Sequence, residues 1–251
     1  MKLMKRFAPG ILAAIIICLL LQTVSVVLTV YIFYFLLMGT SAALGIISGL
    51  MIWIFSGHKS TLTNAFKILG GNINTSEKQT FFSALLQVLL RHTWEMPQTV
   101  LGHFYLQIQN IVVLKKRVDY WGGATFLILE NQKTRKGISI GSFINVYIKD
   151  EINGDFETAI TKGMLFMHEY GHTFDSRIYG IFFLPLIGLP SLISAATAKP
   201  VAGTKGVLTH DFRWYEMSAN RHAAHYFKKY YSFDWKVFED LYPLQKPSDY
   251  T

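Results

Sequence analysis

The first long segment of the chain is apolar and uncharged. After Lys2, Lys5 and Arg6, no charged residue occurs between positions 7 and 57. A helix that spans a bilayer needs only about 20 residues. The length therefore predicts a transmembrane helical hairpin, with helices near 11–34 and 37–55 and a turn near 38–41. One long helix followed by a buried one is the alternative interpretation.

The remaining chain mixes the helical and strand patterns of hydrophobic residues. Apolar residues recur at helical spacing over 77–92, and residues 99–118 are interpreted as extended or mixed. Strands are expected at 125–129 and 138–148, joined by a hairpin loop at 131–137. Within the second strand, residues 141–147 are the candidate edge strand. These elements predict an α+β fold behind the membrane segment.

Composition and charge support a membrane protein. The 251 residues are 51% hydrophobic and only 16% charged, whereas soluble domains carry about 25% charged residues. The net charge of +8 suits anionic headgroups, and no Lys/Arg run is dense enough to predict nucleic-acid binding. A single cysteine, Cys18, excludes a disulfide and a cysteine metal site. We therefore expect the lipid bilayer as a partner.

The chemistry of the chain centres on the HExxH motif His168-Glu169-Tyr170-Gly171-His172. Residues four apart share one face of a helix, so His168 and His172 can bind one metal ion. Glu169 projects beside them and can take a proton from a water in the open coordination position. The motif predicts a zinc site with Glu169 as the catalytic base.

A catalytic zinc ion usually has three protein ligands. In HExxHxxGxxH the third ligand is a histidine, but here Asp175 and Ile178 occupy the Gly and His positions. A glutamate on a later helix is the other common ligand, and Glu216 supplies it. Asn220 shares its helix face and is expected to support the site by hydrogen bonding. The candidates to stabilise an oxyanion are His210 and Tyr215.

A second apolar stretch, residues 178–198, separates the second histidine from Glu216. It contains Pro185, Pro190 and two glycines, which disfavour a regular spanning helix. A full crossing would also put the ligands on opposite sides of the membrane. We expect a core or membrane-apposed hairpin that closes one side of the cleft.

The motifs together resemble known proteins. Glu216 and Asn220 resemble the Glu-x-x-x-Asp element of gluzincin metallopeptidases, with Asn in place of Asp. Further stretches, namely TWEMPQT at 93–99, VDYWGGATF at 118–126, GSFINV at 141–146, HEYGH at 168–172, GLPSLISA at 188–195 and WYEMSANR at 214–221, resemble a group of bacterial HEYGH-containing membrane proteins. The resemblance covers most of residues 90–230. It implies a zincin-like domain and no particular substrate.

The resulting hypothesis is a membrane-anchored zinc metallopeptidase that hydrolyses peptide or protein substrates. We expect a transmembrane hairpin at 1–57 and a linker with a zincin-like domain at 58–251. Two crossings and the positive-inside rule predict a cytoplasmic catalytic domain, and the resemblance implies a bacterial inner (cell) membrane. The alternative is a catalytically inactive zincin-like binding module or a membrane interaction protein.

Overall fold

The N-terminal apolar segment forms one continuous helix. The computed structural model describes residues 2–113, 116–201 and 207–246, and for residues 2–14 it describes the backbone alone. Helix α1 runs from Lys2 to Ser56. Its part Ile15–Ser56, 42 residues with a mean hydropathy of 2.5, is long and apolar enough to cross a membrane.

The structure does not contain the predicted hairpin turn at 38–41, because nothing there breaks the helix. No proline follows Pro9 in this segment. The hydroxyl of Thr40 donates to the carbonyl of Leu36 at 2.8 Å, so the polar residue is satisfied within the helix. The chain divides into two compact units, residues 1–40 and 41–251. The last turns of α1 therefore belong to the second unit, whereas the sequence placed the boundary at 57.

The second unit is rich in helices and contains one small sheet, so the α+β expectation is confirmed. Short 3₁₀ and π-helical turns at Gly180–Phe182 and Leu184–Gly188 lead into the seventh helix. The elements after α1 are α2 (Lys59–Gly70), α3 (Phe81–His92), α4 (Met96–Val112), β1 (Lys116–Trp121), β2 (Ala124–Leu129), β3 (Lys136–Ile140), β4 (Phe143–Tyr147), α5 (Phe156–Lys162), α6 (Met164–Tyr179), α7 (Leu189–Ala196) and α8 (Trp214–Tyr231).

The sheet has the order β1-β2-β4-β3, which differs from the predicted pairing. Strand β2 pairs in parallel with β4, and the two outer pairs are antiparallel. The predicted strand 138–148 is two strands, because the chain turns at Gly141, where φ is +66°. The hairpin prediction for 131–137 is wrong, since β4 lies between β2 and β3. The candidate edge strand 141–147 is also wrong, because β3 forms that edge.

Helices cover both faces of the sheet. Phe126 and Ile144 point to one face, where they pack with residues of α5, α6 and α8. Leu127 and Phe143 point to the other face and pack with residues of α2 and α4. This alternation follows from the two-residue period of a strand. The sheet therefore forms the platform on which α6, the helix that carries HExxH, is held.

Residues 99–118, predicted as extended or mixed, are helical in α4 up to Val112, and only their last residues belong to strand β1. Pro97 lies in the first turn of α4, where a missing N–H costs nothing. The side chains that α4 buries include Gln98, His103, Gln107 and Asn110. Its apolar residues are divided between the core, where Leu106 is buried, and the outer face, where Leu101 and Phe104 are exposed, so they show no clear helical period.

Candidate functional site

The HExxH motif lies on a helix that packs closely against the helix carrying Glu216. A Cβ atom on Gly171 would overlap the backbone of Ala219 in α8. Glycine at the fourth position of HEYGH therefore permits the two helices to approach, and no larger residue fits without moving them. This approach brings the side chains of α6 and α8 together as the sequence predicted.

The structure places the three predicted ligands around one point. The Nε2 atoms of His168 and His172 lie 3.3 and 3.2 Å from Oε2 of Glu216. One ligand atom from each residue falls within 4.8 Å of the other two. This group could hold a metal ion. The hydroxyl of Ser191 donates to the other Glu216 oxygen, Oε1, at 2.6 Å, which leaves Oε2 to face the histidines.

Polar side chains next to the Nδ1 atoms orient both histidine rings. Nδ1 of His168 lies 2.7 Å from Oδ1 of Asn220, the supporting residue that the sequence predicted. Nδ1 of His172 lies 3.5 Å from Oδ2 of Asp175, and Asp175 in turn accepts a hydrogen bond from Ser218 at 2.7 Å. With Nδ1 engaged, Nε2 of each ring is directed toward Glu216. Such outer contacts fix the tautomer and the orientation of metal-binding histidines.

The pKa values of the ligand residues are shifted by the interaction between the Glu216 carboxylate and the two histidines. Burial opposes ionisation of Glu216, but the neighbouring His172 and His168 outweigh it and hold the pKa of Glu216 well below its usual range. Burial likewise opposes protonation of His172, yet the charge of Glu216 and the contact with Asp175, whose Oδ2 atom lies 3.5 Å from Nδ1, raise the pKa of His172 well above its usual value. In the metal-free site an ionised Glu216 therefore favours protonated imidazoles, and a divalent cation would have to displace those protons to bind.

Glu169 is buried beside the ligand group and held by the edge strand. The hydroxyl of Ser139 in β3 donates to Oε2 of Glu169 at 2.6 Å and to its backbone oxygen at 2.9 Å. Gly137 also lies against this side chain, because a Cβ there would overlap the Glu169 carboxylate. Strand β3 therefore positions the predicted catalytic base.

A cavity of about 400 Å³ opens in front of these residues. The ligand residues and Glu169 lie at its polar end, and one wall is β3. The opposite wall comes from residues 183–195, which confirms that the second apolar stretch closes one side of the cleft. The chain bends by 117° between α6 with its 3₁₀ turn and Leu184–Ala196. The cavity wall is mostly apolar, so it suits an apolar ligand group.

The two candidate oxyanion residues occupy different positions. His210 lines the cavity, with its Nε2 atom 3.3 Å from Oε1 of Glu216 and its Nδ1 atom 2.6 Å from Oγ of Ser194. The hydroxyl of Tyr215 instead donates to the carbonyl of Pro190 at 3.1 Å. Tyr215 is buried against Phe183 and Ile187. The geometry favours His210 and gives Tyr215 a role in holding α7.

Four polar residues of the site were missed in the sequence. Asp175 stands three positions after His172, a spacing that puts both on one helix face and was a usable signal. The others are Ser139, Ser191 and Ser194. No spacing rule links them to the motif, because their contacts depend on how β3 and α7 pack.

Comparison with known proteins adds nothing to these observations. No protein-family description matches the chain, and neither curated proteins nor solved structures gave a match. The resemblance to gluzincins therefore rests on the residues and spacings named above. What the site does is argued from its own geometry.

Proposed function

We propose that the second unit is a zinc-dependent metallopeptidase attached to a membrane. The convergence of His168, His172 and Glu216 beside Glu169 carries this proposal. Three metal ligands with an adjacent carboxylate, at the polar end of a cavity, form the arrangement needed for metal-assisted hydrolysis.

Two of the three spacings between the ligand atoms match those of a tetrahedral zinc site. Zinc binds imidazole nitrogen and carboxylate oxygen at about 2.0–2.1 Å with tetrahedral geometry, for which neighbouring ligand atoms lie about 3.3 Å apart. The distances from Glu216 Oε2 to the two histidine nitrogens are 3.3 and 3.2 Å. Two imidazoles and one carboxylate also suit zinc better than magnesium or calcium, which prefer oxygen ligands.

Each residue of the site has a defined task in hydrolysis. A bound zinc ion would polarise the peptide carbonyl and acidify a water molecule in the open coordination position. Glu169 accepts the proton that the water loses on attack and delivers it to the departing amine. Ser139 keeps the Glu169 carboxylate in place for both transfers. His210 faces the same cavity and stabilises the negative charge that develops on the carbonyl oxygen.

The cavity supports a peptide as the substrate. Among the residues that the structure describes, strand β3 pairs with β4 on one side and with no strand on the other, so its free edge offers backbone groups to an extended chain. The same strand holds Glu169 through Ser139. A peptide lying along β3 would pass the ligand group with a side chain in the apolar part of the cavity.

Helix α1 supports attachment to a membrane. Because α1 is one helix and not two, the side of the membrane expected for the peptidase unit changes. The cytoplasmic placement relied on two crossings. One crossing, with Lys2, Lys5 and Arg6 retained in the cytoplasm by the positive-inside rule, puts residues that follow the helix on the opposite side. We therefore propose that the peptidase unit lies outside the cytoplasm.

The Glu169→Gln variant tests the proposal. Glutamine keeps the shape and can still accept the hydrogen bond from Ser139, but it cannot take a proton. We expect hydrolysis of a peptide library to be lost while zinc remains bound. Glu77, an exposed residue before α3, provides the matched control Glu77→Gln, which should remain active. Wild type that binds zinc but cleaves nothing would favour a binding module instead.

A further inference from the structure

Helix α3 buries polar side chains and exposes apolar ones, which is the reverse of the usual arrangement in a water-soluble protein. Its most buried side chains are the polar Gln87 and Arg91. Its large apolar side chains point outward, and Phe81 and Phe82 are 76% and 79% exposed. The other outward residues of this face are Leu85, Leu86 and Leu89.

The orientation of α3 is fixed from inside by Arg91. Its guanidinium donates at 2.8 Å to each of the carbonyls of Gly71, Asn74 and Gly123. A buried cation held by this set of acceptors cannot rotate outward without losing them. The packing of Arg91 therefore fixes the apolar face of α3 on the outside of the second unit.

A second apolar surface adjoins the first. Residues 178–198 contain no charged side chain, and their large exposed hydrophobic residues are Ile178, Ile181, Phe182, Leu186, Leu189, Leu192 and Ile193. The indole of Trp94, just after α3, meets the ring of Phe182 with centroids 6.5 Å apart and donates to the carbonyl of Arg177 at 2.9 Å. The two surfaces are thus joined through Trp94.

Helix α4 continues this surface toward the last turns of α1. Gln98 donates to the carbonyl of Gly180 at 2.9 Å, and His103 is hydrogen-bonded to Ser41 at 2.8 Å. Leu101 and Phe104 of the same helix face outward. Polar bonds between helices with apolar residues outside are the packing pattern of helices in lipid.

We propose that this surface, formed by α3, residues 181–193 and the outer face of α4, lies in the hydrocarbon region of the bilayer. The surface adjoins residues 41–56, the end of a helix that is itself apolar enough to cross a membrane. The outward residues of α3 and of 181–193 include no charged side chain, so a water-soluble partner would find no ion pair on this face. Lys199, which follows the second apolar segment, complements anionic headgroups.

The metal cavity opens at the margin of this surface. Leu101, Leu189 and Leu192 line the cavity and are also part of the exposed apolar face. If the site is a peptidase, as proposed above, its substrate enters from the bilayer surface. The surface itself does not depend on the peptidase proposal.

Fluorescence quenching in vesicles of phosphatidylcholine and phosphatidylglycerol tests the surface on the full-length chain. Cys18 is the single cysteine, so Cys18→Ser provides a background for Leu86→Cys, Leu192→Cys and the control Val237→Cys. Val237 is exposed in the 3₁₀ turn Trp235–Phe238, away from the proposed surface. Each cysteine carries an environment-sensitive fluorophore, and the readout needs no catalysis.

We expect lipids with a quencher on the acyl chain to cause a large loss of fluorescence at positions 86 and 192 and little at 237. Aqueous iodide should do the reverse. Quenching of 86 and 192 by iodide alone would overturn the proposal, because the surface would face water. Protection from both quenchers would also overturn it, since a second copy or another protein would then cover the surface. Two positions on different elements guard against local misfolding of one variant.

Discussion

The side chain of Asn220 holds two parts of the structure at once. Its Oδ1 atom lies 2.7 Å from Nδ1 of His168, and its Nδ2 atom donates to the carbonyl of Pro243 at 2.9 Å. An aspartate could make the first contact but, when ionised, could not donate the second. This explains in physical terms why asparagine suits the position where the gluzincin pattern has aspartate.

Substitutions of Asn220 should separate its two roles. Asn220→Ala loses both contacts, and we expect zinc affinity to fall about 10–100-fold. Asn220→Asp keeps the contact with His168 and should retain zinc, but it leaves the buried Pro243 carbonyl unpaired and should lower the free energy of unfolding by about 1–3 kcal/mol. Chelator competition measures the affinity and thermal unfolding measures the stability. Equal zinc affinity in Asn220→Ala would contradict the role in orienting His168.

Gly137→Ala should impair catalysis without removing the metal. Its Cβ would overlap the Glu169 carboxylate, so that side chain must leave its place beside Ser139. We expect kcat to fall sharply while zinc content stays unchanged, because the ligands lie on other elements. Gly39→Ala is the control, since a Cβ there meets nothing within 4 Å and alanine favours a helix. A Gly137→Ala variant with full activity would show that Glu169 is not held by β3.

Metal binding should weaken as the pH falls, beginning above the usual range for histidine. Zinc requires neutral imidazoles, and the pKa values of His168 and His172 are both raised in the metal-free site. Protons therefore compete with zinc for both imidazoles once the pH falls below these raised pKa values. Because two protons are taken up, the zinc affinity then decreases by up to about 100-fold per pH unit. Because the pKa of Glu216 is lowered, its protonation should not govern this range.

Asp175→Asn tests the cause of this pH dependence. Asparagine lacks the negative charge of Asp175, which contacts His172 and raises its pKa. The pH at which zinc begins to dissociate should therefore be lower in this variant. Zinc affinity measured across pH for both proteins provides the comparison. An onset that does not move would mean that Asp175 does not control the protonation of His172.

A substrate attached to a bilayer should be cleaved better than the same peptide in water. The cavity opens at the apolar surface through Leu101, Leu189 and Leu192, so anchoring raises the local concentration at its mouth. We expect kcat/KM to be higher for a peptide with a membrane anchor. Leu192→Gln should reduce this advantage, and Val237→Gln should not. Equal rates for both peptides would argue against entry from the membrane.

The sequence was most informative where chemistry depends on local spacing. His168, His172 and Glu216 were identified from a helix period and a ligand count, and the structure brings them together. The strand order was not predictable in this way. Parallel pairing of β2 with β4 depends on packing between distant segments, and no local pattern encodes it.

The errors in α4 and α1 have different physical causes. In α4 the polar Gln107 and Asn110 point inward and donate to the carbonyls of Ala65 and Thr61. The apolar residues are therefore split between a buried Leu106 and the exposed Leu101 and Phe104, and they do not form the single stripe of an ordinary amphipathic helix. In α1 every face is apolar, so no pattern locates a turn and only the length suggested two helices.

Zinc stoichiometry of the purified full-length protein, compared with Glu216→Ala, tests the central claim most directly. We predict one tightly bound zinc ion per chain in the wild type, in Glu169→Gln and in the exposed control Glu77→Ala, and its loss in Glu216→Ala. Wild type without zinc would contradict the account, and so would a Glu216→Ala variant that binds zinc as tightly as the wild type.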